Sequence, residues 1–276
     1  MTLLAAALLA ASSLAGAQPV GPPAPVPETE EGRAAQCQVA ARRSPQAALA
    51  NANRWRVAGG GLHARQCIGL AYVELGQWRE AATTFEQAAQ EADRAGEARS
   101  VDFWVQAGNA WLAGGDPARA IAALDTALKS PQLTPELRGE ARLDRARALV
   151  AQGRPADARA DLNQALELVP ADPMAWYLSA ELARRQNDLA RARADIDRAR
   201  QLVRDNPEVL LLAGTIAGQA GDMAEAERLY RQVAERAPNT EAGRAARASL
   251  GTTGQGEAAT PASPPTPPPP AAPRQN

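Results

Sequence analysis

From Arg33 to Leu250 the apolar positions recur with the period of a helix, and no stretch alternates apolar and polar residues over a useful length. The helical runs break at Gly76, Gly115, Gly153, Asn187 and Gly221, residue types that accept the left-handed backbone with which many helices end. After two of these breaks, Asp116-Pro117 and Arg154-Pro155 place proline in the first turn of a new helix, where its missing N–H costs little. Residues 173–206 and 207–240 are consecutive 34-residue stretches that superimpose: Ala180 with Gly214, Asp188 with Asp222, Ala192 with Ala226, and Ile196 with Tyr230. A helix, a short turn and a second helix therefore form one unit used several times. Fixed periods of this size are characteristic of solenoids.

Five columns run through the repeats. Gly69, Gly108, Ala146, Ala180 and Gly214 share a site on the first helix of each pair. Just after each turn come Ala81, Ala120, Ala158, Ala192 and Ala226, and seven residues later Ala88, Ala127, Ala165, Ala199 and Val233. Between those two columns sits a large apolar residue: Phe85, Leu124, Leu162, Ile196 or Tyr230. Tyr72, Trp111 and Leu149 occupy a matching site on the first helices, which thins to Ala183 and Ala217 in the last two. Small residues let paired helices approach closely, and the large ones fill the space between them. The spacing stretches between Ala81 and Ala158, with extra residues near 92–99 and 131–138 that predict longer helices or loops.

In combination these columns resemble the tetratricopeptide repeat, in five copies over residues 62–240. Trp104 and Trp176 fit that family's large residue early in the first helix, and Pro170 and Pro238 fit its closing proline. Arg65 and Arg142 depart from the pattern at the Trp site, which predicts looser packing there. The resemblance implies an all-α fold, a right-handed α-solenoid of helix-turn-helix repeats. Residues 33–61 read as a degenerate opening pair, in which Ser44 caps a helix before Pro45, and Trp55 together with the glycines at 59–61 ends the pair. Residues 241–250 read as a solvating terminal helix with alanines inward.

Composition narrows the chemistry. Hydrophobic residues make up 45% of the chain but aromatics only 4%, so the core must close through small side chains. The 30 basic and 31 acidic residues cancel, leaving no whole-chain field toward nucleic acid or anionic lipid, and neither is expected as a partner. The single histidine, His63, lies four residues from Cys67, but a structural zinc site needs four ligands, so no metal or cofactor is expected. Gly59-Gly60-Gly61 lacks the Lys-Ser/Thr of a phosphate loop, and pairs such as Asp195 with Asp197 read as a solvated helix face. An enzyme is not expected.

The ends carry different signals. Residues 1–17, with the apolar run Leu3–Ala11 and then Ala15-Gly16-Ala17, read as a secretory signal too short to span a bilayer. Ala17 stands where a lipoprotein would carry its lipidated cysteine, so an unlipidated chain starting at Gln18 is expected, periplasmic or secreted and with no integral membrane segment. Residues 18–32 read as a Pro-rich and acidic linker. Residues 251–276 read as a disordered Pro-rich tail, with a ligand for a proline-reading domain as the alternative. Cys37 and Cys67 fall on the first helices of neighbouring pairs, and in an exported chain they are expected to form a disulfide.

In the family, first helices line a concave groove that holds an extended peptide or a partner helix. Carried to this chain, the groove columns are His63, Gln66, Leu70 and Glu74; Asp102, Val105, Asn109 and Leu112; then Glu140, Leu143, Arg147 and Val150. Met174, Tyr177, Glu181, Arg184 and Arg185 follow, and Glu208, Leu211 and Thr215 come last. The basic clamp by which some members grip a C-terminal carboxylate wants Lys or Arg beside Asn, and only Asn109, with Val105 a turn before it, fits. Tyr177, Glu181, Arg184 and Arg185 are expected to dominate, the arginines meeting an acidic peptide and Glu181 pairing with them when no partner is bound. Two functions follow: an adaptor that binds a peptide or protein of the cell envelope, or a self-associating envelope scaffold that uses its array and its Pro-rich ends.

Overall fold

The computed structural model describes residues 29–256. The expected signal segment 1–17, the linker up to residue 28 and the tail from 257 lie outside the described residues. Within them the chain forms thirteen helices and no strand. The opening pair is α1 (Glu30–Arg43) and α2 (Pro45–Val57), and the first repeat is α3 (Gly61–Glu74) with α4 (Trp78–Ala95). Then come α5 (Ser100–Ala113), α6 (Pro117–Lys129), α7 (Pro135–Ala151), α8 (Pro155–Leu168), α9 (Pro173–Arg185) and α10 (Leu189–Leu202). The array finishes with α11 (Pro207–Gln219), α12 (Met223–Arg236) and α13 (Glu241–Gly256). Helices pack chiefly on their neighbours in sequence, as in a stacked array.

Each pair turns by the same device. Gly76, Gly115, Gly153, Asn187 and Gly221 all have positive φ, Asn187 at 60°. The next residue's N–H reaches back to the carbonyl five residues earlier, as from Asp188 to Ala183 and from Asp222 to Ala217. This is the Schellman closure, which satisfies carbonyls that a helix end would leave bare. Asp116, Asp188 and Asp222 then accept from the N–H three residues on and start the second helix. Ser44 stands at the N-cap of α2 without a side-chain cap bond.

The small column is built for contact. A Cβ added at Gly69 would lie 2.4 Å from the Phe85 ring, one at Gly108 2.6 Å from Leu124, and one at Gly214 2.7 Å from Tyr230. The alanines at 81, 120, 158, 192 and 226 have no exposed surface. In the three glycine repeats the knob of the second helix therefore sits directly against the glycine of its own first helix.

Several expectations need correction. Glu30, Glu31 and Gly32, read as linker, form the first turn of α1, where Thr29 accepts from the Gly32 N–H and the acids face the positive helix end. The last helix runs to Gly256 rather than ending at residue 250. The Arg65 and Arg142 sites are closed by ion pairs: Arg65 bonds Glu91 at 2.7 Å, while Arg142 and Arg145 both hold Asp161, itself 2% exposed. Asp195, read as part of a solvated face, is buried, accepts from the Ser179 hydroxyl at 2.6 Å and pairs with Arg191. Buried carboxylates are tolerated only when partnered in this way. The inserted residues behave as expected: those at 92–99 lengthen α4 to the left-handed Gly96. Of those at 131–138, residues 131–134 form a loop and the rest open α7, from which Arg138 donates to the carbonyls of Leu128 and Ser130.

At the start of the array a Cys37–Cys67 disulfide joins α1 to α3, with Cα atoms 5.8 Å apart. Trp55 covers Gly60 so closely that a Cβ there would lie 2.4 Å from the indole.

Candidate partner-binding groove

The first helices of the last repeats, together with α13, enclose the most developed cavity among the expected residues. Tyr177, Glu181 and Arg184 from α9, Glu208, Leu211, Leu212 and Thr215 from α11, and Glu241, Ala242 and Ala245 from α13 line a volume of about 310 Å³. A second hollow of about 290 Å³ adjoins it, sharing Tyr177 and Glu208 and otherwise walled by Pro173, Met174, Val203, Asn206 and Val209. Six of the expected groove residues are thus brought around one space by helical spacing on two parallel positions of the repeat.

The electrostatics of this site are set by Glu181. Arg184 grips it in a fork, with Nε at 2.7 Å and Nη2 at 2.9 Å, and Arg185 adds a bond at 2.7 Å. Burial opposes the charge on Glu181, but the two guanidiniums outweigh it and hold the carboxyl below its ordinary range. Arg184 is raised in turn, chiefly by its hydrogen bonds to Glu181. Burial, followed by the nearby Glu181 and Glu208 carboxylates, pushes the Tyr177 hydroxyl up, so it stays protonated and able to donate at neutral pH. Thr215 lies 3.4 Å from the Tyr230 hydroxyl.

The middle of the row is shallower. Arg147 and Val150 of α7 face Leu178, Glu181 and Arg185 of α9 across a hollow of about 170 Å³. Glu140 is exposed, and Asp144 pairs with Arg147 at 3.1 Å. Asp102 is exposed and Leu112 half-buried. Val105 and Leu143 correct the expectation: they are 8% and 5% exposed and pack into the core, so neither offers a surface to a ligand. The side chains one residue on, Gln106 and Asp144, are half-buried in their place, and the Gln106 Oε1 has no hydrogen-bond partner among the described residues.

At the opening end, Arg99 lies over His63 and Gln66. Its Nη1 is 3.1 Å from the His63 Nε2, and its Nη2 donates to the Gln66 Oε1 at 2.9 Å. These two expected residues are engaged within the chain, while Leu70 packs against the core and Glu74 is exposed.

Sequence models of the tetratricopeptide repeat match residues 68–135 and 143–207, and another matches 208–240. The chain belongs to the tetratricopeptide repeat family. Its members are protein-interaction modules. A comparison with curated proteins finds no match. Among solved structures the tetratricopeptide array is similar to PilW, described as a widely conserved type IV pilus biogenesis factor. The identity is 21% and the TM-score 0.67, covering 79% of this chain and 98% of that one. It is also similar to PilF of Pseudomonas aeruginosa, at 17% identity and TM-score 0.57 over 78% and 99% of the two chains. YrrB, described as a TPR protein with an unusual peptide-binding site, is similar at 14% identity and TM-score 0.51, over 67% of this chain and 91% of that one.

Sequence reasoning missed the part played by α13 in the cavity, and the signal for it was present. A further 34-residue step from Pro207 lands on Glu241, so the terminal helix occupies the place of another first helix.

Proposed function

We propose that this chain is a protein–protein interaction module of the cell envelope that holds a peptide or protein segment in the groove of its first helices, centred on Tyr177. The observation that carries this reading is the shared cavity of α9, α11 and α13, where a half-buried tyrosine meets apolar and charged walls. Tyrosine and arginine in such hollows combine contact area with directed hydrogen bonds, as binding hot spots do. The reading of residues 1–17, the Cys37–Cys67 disulfide and the likeness in fold to a pilus biogenesis factor support the envelope setting. Among the described residues no helix is long and apolar enough to cross a membrane. In this setting the mature chain begins at Gln18.

The test is recovery of partners by crosslinking pull-down from native envelopes with the full chain and with a Tyr177→Ala, Arg184→Ala double variant. The variant should keep its helical signal, with a small fall in melting temperature from the lost Arg184–Glu181 pair, and lose the partners. Recovery at the wild-type yield would place binding elsewhere.

A further inference from the structure

Resting on that reading, we infer that the segment held in the groove is basic and apolar: a lysine or arginine side chain set between Glu208 and Glu241, with a neighbouring apolar residue seated in the hollow beside Met174. The spacing of two arginines on α9 suggests an acidic ligand, and the structure reverses that suggestion. Both arginines are consumed by Glu181, Arg184 through two bonds, so neither offers a free cation. Among the described residues the Glu208 and Glu241 side chains make no ion pair or hydrogen bond, and both are exposed. The walls of the larger cavity carry three carboxylates and one guanidinium, and that guanidinium neutralises one of the three. The charge left over is negative.

The adjoining hollow supplies the other half of the recognition. Met174 is 53% exposed, an unusual cost for a large apolar side chain, and it stands beside Val203 and Val209 in a wall whose only formal charge is Glu208. Glu208 and Tyr177 are common to both spaces, so one continuous trough runs from apolar to acidic. A basic side chain that lays its methylene stem along the Tyr177 ring and its head between the two glutamates meets both demands. An acidic segment would have to break the Glu181 pairs and then face two unpaired carboxylates. Opposite charge across an interface selects partners in this way and rejects others.

The experiment selects a phage-displayed library of random 12-residue peptides on the full chain, then measures each selected peptide against three proteins by fluorescence anisotropy. These are the wild type, Glu208→Gln with Glu241→Gln, and Tyr177→Ala. The selected peptides should carry lysine or arginine next to apolar residues and bind the double glutamine variant roughly tenfold or more weakly. They should also weaken as salt rises. Peptides that are acidic or uncharged yet lose binding to Tyr177→Ala would overturn the inference and leave the groove standing. Basic peptides that bind the glutamine variant as well as the wild type would overturn it too. If binding is indifferent to Tyr177→Ala, or nothing is selected, the groove reading itself fails.

Discussion

Ala192 has no exposed surface and lies in the cluster formed by Ile196, Ala199, Leu210 and Ala213. Leucine there adds apolar bulk with no space to receive it, and such overpacking costs about 1–3 kcal/mol. The melting temperature of Ala192→Leu should fall accordingly, and an unchanged value would contradict the close approach of α9 and α10. Asn187 tests the turn column separately. It is the non-glycine member at positive φ, and alanine placed in that left-handed conformation costs roughly 1–2 kcal/mol. Asn187→Ala should lose that much in denaturant unfolding, while Asn187→Gly should not. Glu181 predicts a pH dependence of definite sign. Its pKa is lower folded than unfolded, so its pairing contributes stability above the ordinary carboxylate range. That contribution is lost as the pH falls through the depressed folded value. A carboxyl resonance of Glu181 titrating with a midpoint below 4.5 would bear this out, and a midpoint above it would mean that burial outweighs the arginines.

At the scale of elements, the disulfide ties α1 to α3 across 30 residues of chain, and closing such a loop contributes about 3–4 kcal/mol. In an array whose helices touch mainly their neighbours, the effect should stay local. Reduction, or Cys37→Ser, should speed amide exchange in α1, α2 and α3 and leave α9 to α12 unchanged. Exchange that quickened evenly along the chain would show one cooperative unit. The helix pairs were legible because their punctuation and their small columns depend on local sequence: a residue that must take positive φ, and a residue that must lack bulk. The ends were less legible. Glu30 and Glu31 look like solvated linker until Thr29 caps them, and α13 continues past residue 250 through glycines and threonines of low helix propensity. The groove was legible as a row of first helices but not in every position. One place along a helix separates Val105 from Gln106 and Leu143 from Asp144, and only the packing of the neighbouring repeat decides which of each pair is buried. The pairing of Glu181 with Arg184 and Arg185 was legible from their helical spacing, but the extent to which it takes up both arginines was not, since that depends on the rotamer of Glu181.

Across the whole molecule, we propose that partners enter on the face of the first helices, near the C-terminal end of the array. The opening end is occupied by its own Arg99 over His63 and Gln66, whereas the space between α9, α11 and α13 is open and carries unpaired charge. Site-specific photocrosslinking in native envelopes tests this most directly, with a benzoylphenylalanine placed in turn at Thr215, which lines that space, and at Arg228, which is exposed on α12. Entry there gives a partner adduct from position 215, lost on Tyr177→Ala with Glu208→Gln, and none from position 228. An adduct from position 228 with none from position 215 would contradict it.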